Sequence, residues 1–248
     1  MNYSEILRTV VGSQVHGLTI DGTDDRDEMG ICIEPLEYVI GLERFEQYTC
    51  RTQPEGVRSG PGDLDLVVYS LRKWMRLALH GNPTVLLPLF APPESTLVIN
   101  PVGVALRVFA PHIVSRDAGR RFLGYLHAQR QRMLGNRGQA RLPNRPELVE
   151  RFGYDTKYAG HMLRLGFQGC ELLNTGQITL PMLPSQREHI LAVRRGQVPL
   201  AQILGEVDGI EHVLRKLIET SPLPEHPDRT AANQFLIDAY QTAWKGNS

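Results

Sequence analysis

The segment Asp24-Asp25-Arg26-Asp27-Glu28 crowds four carboxylates into five positions. Asp25 and Asp27 stand at i and i+2, which on a strand places both side chains on one face, about 6–7 Å apart along the backbone. Two carboxylates in that relation suit divalent cations, and Mg²⁺ takes oxygen ligands while keeping water or substrate phosphate in its shell. Two such ions about 4 Å apart hold the attacking and leaving oxygens of an in-line phosphoryl displacement. A third carboxylate from a neighbouring strand completes a site of this kind. G-D-L-D-L-V-V-Y-S-L supplies Asp63 and Asp65, of which Asp65 is preferred because it lies further into the strand. The competing reading is a solvated acidic turn, since Gly and Asp are both favoured in turns. A calcium loop is excluded because the ligand spacing is not met.

Upstream, G-S-Q-V-H-G offers small residues at a strand-to-helix turn. Gly12 lets a phosphate approach the backbone, Ser13 adds a hydroxyl donor, and a helix N-terminus attracts anions. Gly-Ser pairs are common, so the signal lies in the order: Gly12-Ser13, then the Asp pair, then a later Asp on a strand. Asp24 and Glu28 are bystanders in this reading, and His16 lies close to the turn.

A second constellation sits in Y-D-T-K-Y-A-G-H-M-L-R-L-G, where Lys157, His161 and Arg164 follow helical spacing. They share one face over about 10 Å, beside an apolar stripe of Tyr158, Met162 and Leu165. A row of cationic donors of that length suits a triphosphate, Lys as a point charge and Arg as a bidentate fork. It would also neutralise part of the acidic cluster across a cleft. The bland alternative is a solvated basic face. Arg72, Lys73 and Arg76 read as a solvated helix face, Asn82 as part of a helix stop. The basic stretches Arg130–Arg145 and 194–197 carry less weight as polyanion contacts.

Positioning these residues requires an α+β chain. Residues 4–11 read as a short helix feeding a strand, M-G-I-C-I-E and L-D-L-V-V-Y-S-L as strands, and residues 51–63 as a loop. Leu71, Trp74, Met75, Ala78 and Leu79 repeat at helical spacing, with Ser70 as N-cap and Gly81 as stop. From about residue 95 the pattern is helical, with helices in Y-D-T-K-Y-A-G-H-M-L-R-L-G-F-Q-G-C-E-L-L, S-Q-R-E-H-I-L-A-V-R-R-G-Q, L-A-Q-I-L-G-E-V-D-G-I-E-H-V-L-R-K-L-I-E-T and A-A-N-Q-F-L-I-D-A-Y-Q-T-A-W. The expected organisation is a small mixed sheet with helices over residues 1–95, carrying the chemistry, and a helical domain over 96–248 contributing to nucleotide and acceptor binding.

With 248 residues, 42% hydrophobic and 22% charged, the composition is that of an ordinary globular protein. Lys+Arg and Asp+Glu balance at 27 each, which argues against a long non-specific polyanion surface. Cys32, Cys50 and Cys170 are widely spaced with no C-x-x-C, so a zinc ribbon or disulfide framework is not expected. No membrane span or leader pattern is read, and a cytoplasmic location is expected. G-x-x-x-x-G-K-[ST], G-x-S-x-G and H-E-x-x-H are all missing, against P-loop, hydrolase and zincin chemistry.

Gly12-Ser13, Asp25-Arg26-Asp27 and Asp65 together resemble the pattern of the DNA polymerase β nucleotidyltransferase superfamily. The chain is most similar to a group of nucleotidyltransferases from bacteria and their phages, related to the RNA-ligase-associated type. E-P-L-E-Y-V-I-G-L-E-R-F-E-Q-Y, the run from Asp63 to Phe90 and the run from Tyr154 to Leu180 carry the likeness, which spans about residues 10–200. Relatives often show S-D-x-D where this chain has Asp24-Asp25-Arg26-Asp27. The resemblance implies a nucleotidyltransferase-type sheet and transfer of a nucleoside monophosphate from an NTP, such as ATP, to an acceptor, with loss of pyrophosphate. It implies two Mg²⁺ ions, or Mn²⁺, on Asp25, Asp27 and Asp65, with Asp65 helping to deprotonate the acceptor. Gly12, Ser13, Lys157, His161 and Arg164 would bind the nucleotide; the acceptor reads first as an RNA end of tRNA-like type, with protein or small-molecule acceptors as the alternatives. The other readings are a catalytically weak nucleotide- or RNA-binding relative and a metal-dependent phosphohydrolase.

Overall fold

A computed structural model describes residues 3–20, 25–57, 59–134 and 145–245. Its first strand, β1 (Ser4–Val10), runs into a one-turn helix α1 (Gly12–His16) and then into β2 (Arg26–Ile33). The helix expected over residues 4–11 is therefore a strand, held by antiparallel pairing to β2. A register shift between Glu5 and Leu7 lets the consecutive residues Ile6 and Leu7 both be buried. That bulge breaks the period-two pattern a strand normally shows, which is why the segment imitates a helix.

After the short α2 (Leu36–Val39) come β3 (Gln47–Arg51) and β4 (Leu64–Ser70). β3 is an exposed strand with no apolar alternation in its sequence. It exists because β4 pairs with it antiparallel, Cys50 opposite Leu66 and Arg51 opposite Asp65. β4 in turn lies parallel to β2. Ser70 ends it and caps α3 (Leu71–Leu79) by accepting a hydrogen bond from Lys73 N at 3.2 Å, as the sequence predicts.

Trp74 is fully buried and donates from Nε1 to Val85 O at 3.0 Å, so the ring fills the core without leaving its N–H unpaired. Beyond α4 (Leu87–Phe90), β5 (Thr96–Ile99) joins the other side of β1. Four residues in a Pro-rich context give no strand signal, and the expected boundary near residue 95 falls there. The sheet is mixed, ordered β3-β4-β2-β1-β5. It is followed by α5 (Pro101–Val108), whose N-cap Asn100 accepts from Gly103 N at 3.0 Å, and by α6 (Ala110–Ile113).

The chain then builds a second compact unit, Ser115–Glu225. It holds α7 (Arg116–Met133), α8 (Pro146–Phe152), α9 (Thr156–Thr175), α10 (Pro184–Arg194) and α11 (Leu200–Thr220). α9 packs against α7, α10 and α11, burying Tyr158, Met162 and Leu165, the stripe read from the sequence. Arg130 of α7 bridges to Asp208 of α11 at 2.6 Å, a structural use of a residue read as part of a basic loop. Most of that loop, residues 135–144, lies outside the described residues.

The last helix, α12 (Arg229–Lys245), belongs to the first unit, which comprises Met1–Val114 and His226–Ser248. Tyr240 Oη donates to Glu34 Oε2 at 2.7 Å and accepts from Arg72 N at 3.2 Å, and Trp244 Nε1 donates to Glu34 O. The first unit thus takes in β5, α5, α6 and α12, the last packed on α3 and α6. The whole is an α+β fold: a five-stranded mixed sheet with helices, and a helical C-terminal region.

Candidate functional site

The parallel pairing of β2 and β4 sets Asp27 directly opposite Asp65. Neighbouring strands are about 4.8 Å apart, so the two carboxylates meet on the face they share. Asp25 stands just before β2, two residues from Asp27 and on the same side of the strand. One carboxylate oxygen from each of the three residues lies within 4.8 Å of the other two. Arg26 N donates to Asp63 O at 2.8 Å, fixing where the two strands begin.

Asp63 has a different task. Its carboxylate accepts from Gly60 N at 2.9 Å and from the Thr52 hydroxyl at 3.1 Å, closing the turn before β4. Of the two aspartates there, Asp65 joins the cluster. Asp24 lies outside the described residues. Glu28 points to the other side of β2, is buried, and is bridged by Arg26 at 2.7 Å and Arg8 at 3.5 Å. It is thus outside the cluster, yet paired rather than solvated.

Three side chains beyond the sequence reading hold Asp65. Arg51 Nε donates to Oδ1 at 2.7 Å, Gln53 Nε2 to Oδ1 at 3.0 Å, and the Ser59 hydroxyl to Oδ2 at 2.6 Å. Arg51 also donates to Ser59 Oγ at 3.0 Å, and Gln53 to the same atom, so the three donors brace each other. Burial would raise the Asp65 pKa, but these hydrogen bonds and the guanidinium charge outweigh it and hold the carboxyl below its ordinary value. The only sequence signal for this brace is that residues 51–59 precede Asp65 in a hairpin; the register that places them is a tertiary fact.

Gly12 adjoins the same cluster. Its φ of +66° favours glycine, and a Cβ there would collide with the Asp27 carboxylate. Val11 N donates to Asp27 O at 2.8 Å, so the turn between β1 and α1 rides over Asp27. Ser13, next along, is partly buried and accepts at its carbonyl from Leu18 N at 2.9 Å. His16 is buried.

Lys157, His161 and Arg164 lie in the second unit on α9, whose N-cap Asp155 accepts from Lys157 N and Tyr158 N at 3.0 and 3.1 Å. Burial first, and then the charges of Arg164, Lys157, Arg145 and Arg194, push the His161 pKa well below that of a free imidazole. The ring is therefore neutral near pH 7. Burial lowers the Arg164 pKa to about 10, which leaves it cationic at that pH.

Lys73 and Arg76 each bridge to Glu46 at 2.7 Å. Asn82 Oδ1 accepts from Thr84 N at 3.1 Å and Val85 N at 3.3 Å, closing the turn after α3. The three cysteines are free. Among the described residues, no helix is long and apolar enough to cross a membrane.

Compared with protein families, residues 2–238 match the family described as RlaP, the RNA repair pathway DNA polymerase beta family. No curated protein sequence matches. Among solved structures, the chain is similar to a nucleotidyltransferase-like protein from Exiguobacterium sibiricum at 11% identity and a TM-score of 0.31. That likeness covers 96% of this chain and 74% of the other.

Proposed function

The chain belongs to the RNA repair pathway DNA polymerase β family, a family of nucleotidyltransferases, and we propose that it transfers a nucleoside monophosphate from an NTP to an RNA end. Pyrophosphate is the leaving group, Mg²⁺ (or Mn²⁺) the metal and the cytoplasm the location. The observation that carries the reading is the convergence of Asp25, Asp27 and Asp65 from two parallel strands onto one small volume.

The donor set fits a hard divalent cation: three carboxylates, one of them already aimed by Arg51, Gln53 and Ser59. Bound there, such ions would neutralise the triphosphate and acidify the acceptor hydroxyl. The chain's own part is mostly placement. Asp27 on β2 and Asp25 just ahead of it would offer oxygens to the metal. Asp65, kept ionised by its donors, would hold the metal from β4 and help to deprotonate the acceptor. Gly12 keeps the space beside Asp27 clear and, with Ser13, forms the turn over which a phosphate passes. Lys157, His161 and Arg164 bind nucleotide phosphates.

The test is incubation with each of the four NTPs, labelled at the α-phosphate, and RNAs with defined ends. Label in the RNA supports the reading. Hydrolysis with no transfer favours a phosphohydrolase using the same carboxylates, and neither product favours a binding relative.

A further inference from the structure

The second unit gathers cations around His161 from three separate segments. Lys157 and Arg164 share its face of α9. Arg194 comes from α10: its Cγ lies 2.9 Å from where a Cβ on Gly160 would stand, so the missing side chain lets Arg194 cross α9 one residue before His161. Arg145, just ahead of α8, is fixed twice. It bridges to Asp155 at 3.1 Å, and its guanidinium lies 5.2 Å from the centre of the Tyr158 ring. Asp155 is itself committed to capping α9. Helix packing is supplied by Tyr158, Met162 and Leu165 and does not call for this concentration of charge.

Arg145 is paired with Asp155 and Arg164 donates to Gln168, yet the charges that act most on the His161 ring are all positive, and each guanidinium or ammonium carries donors suited to phosphate oxygens. A phosphate seated among them would be held by that positive field. It would meet forked donors from the arginines, a point charge from Lys157 and one N–H from the neutral ring.

We propose that Arg145, Lys157, His161, Arg164 and Arg194 form one phosphate-binding pocket in the second unit, which takes a phosphate group whether or not metal is present. The group is of the kind carried by a nucleotide's polyphosphate chain or by a phosphorylated RNA end. This rests on the reading of Lys157, His161 and Arg164 as phosphate ligands, adds Arg145 and Arg194, and makes the pocket independent of the aspartates.

The experiment is NMR on the full chain in EDTA, following the His161 ring signals, assigned by loss in His161→Gln. The probes are inorganic phosphate, tripolyphosphate, and a short RNA with and without a 5′-phosphate. Saturable binding is expected, with the His161 pKa rising because the anion offsets the cations that depress it. Arg145→Gln and Arg194→Gln should each weaken binding about 10–100-fold, as expected for losing a charge-assisted hydrogen bond. Arg194→Lys should restore part of the affinity, which a merely structural role would not require. Saturation by tripolyphosphate, with the two RNAs alike, identifies a nucleotide polyphosphate as the source. Preference for the phosphorylated RNA identifies an RNA end.

The pocket is overturned if no probe saturates, if the His161 pKa stays fixed, or if binding is unchanged in folded Arg145→Gln and Arg194→Gln proteins. Asp25→Asn with Asp27→Asn should leave phosphate binding intact while abolishing transfer. Failure of the pocket and failure of the transferase reading are therefore separately visible.

Discussion

Arg51 and Asp65 are paired positions of the β3–β4 hairpin, with Arg51 Nε 2.7 Å from Asp65 Oδ1. Asp65 is also the partner of Asp27 across the parallel pair β2–β4. One rung of the sheet therefore reads Arg51, Asp65, Asp27 across three strands. The guanidinium stands on one side of the central carboxylate, and the other two aspartates stand on the other. Three carboxylates at this spacing repel by about 1–4 kcal/mol per pair, depending on how well water screens them. Arg51 offsets part of that repulsion when no metal is bound.

Replacing Arg51 with Gln removes that counter-charge. The metal-free protein should melt at a lower temperature than wild type. The rise in Tm on adding Mg²⁺ should be larger, because the cation then relieves more repulsion. Thermal melts in EDTA and in Mg²⁺ check both. Equal Mg²⁺ shifts in the two proteins would mean that Arg51 does not serve as the counter-charge.

Gly12→Ala should be worse than its size suggests. Alanine at a φ of +66° costs about 1–3 kcal/mol in backbone strain. Its Cβ would also force the Asp27 carboxylate to move. A drop in Tm of several degrees is expected, at about 2–4 °C per kcal/mol for a chain of this length. Mn²⁺ affinity, read by electron paramagnetic resonance, should fall with it. A protein with normal Mn²⁺ binding would show that Asp27 does not need this space.

Glu34 gives a pH dependence of stability. Burial raises its pKa, only partly offset by the hydrogen bond from Tyr240 and the charge of Arg72. The folded state therefore binds this proton more tightly than the unfolded chain, where the group titrates near pH 4.3. Its contribution is fully present below that pH and is lost as pH rises through the higher folded value. Glu34→Gln should stabilise the protein at pH 7 and give no gain near pH 4, measured by denaturant unfolding at both. An equal effect at the two pH values would contradict the shift.

The aspartates were legible in the sequence because i, i+2 spacing and a later strand Asp are local signals. α3, α9, α10 and α11 were legible for the same reason, each having its own apolar period. The brace on Asp65 was not, since Arg51, Gln53 and Ser59 reach it only through hairpin register. Strand β1 imitates a helix because its bulge buries two successive residues, and β5, four residues long, carries no strand signal of its own. The return of α12 to the first unit depends on Tyr240 meeting Glu34 across 206 positions, a contact no local pattern encodes.

The most direct test of the central claim is a crystal structure of the protein soaked with Mn²⁺ and a non-hydrolysable NTP, read by anomalous scattering at the manganese edge. The account predicts manganese bound by oxygens of Asp25, Asp27 and Asp65, and no such peak in an Asp25→Asn/Asp27→Asn crystal. Nucleotide bound with its manganese away from all three aspartates would contradict it.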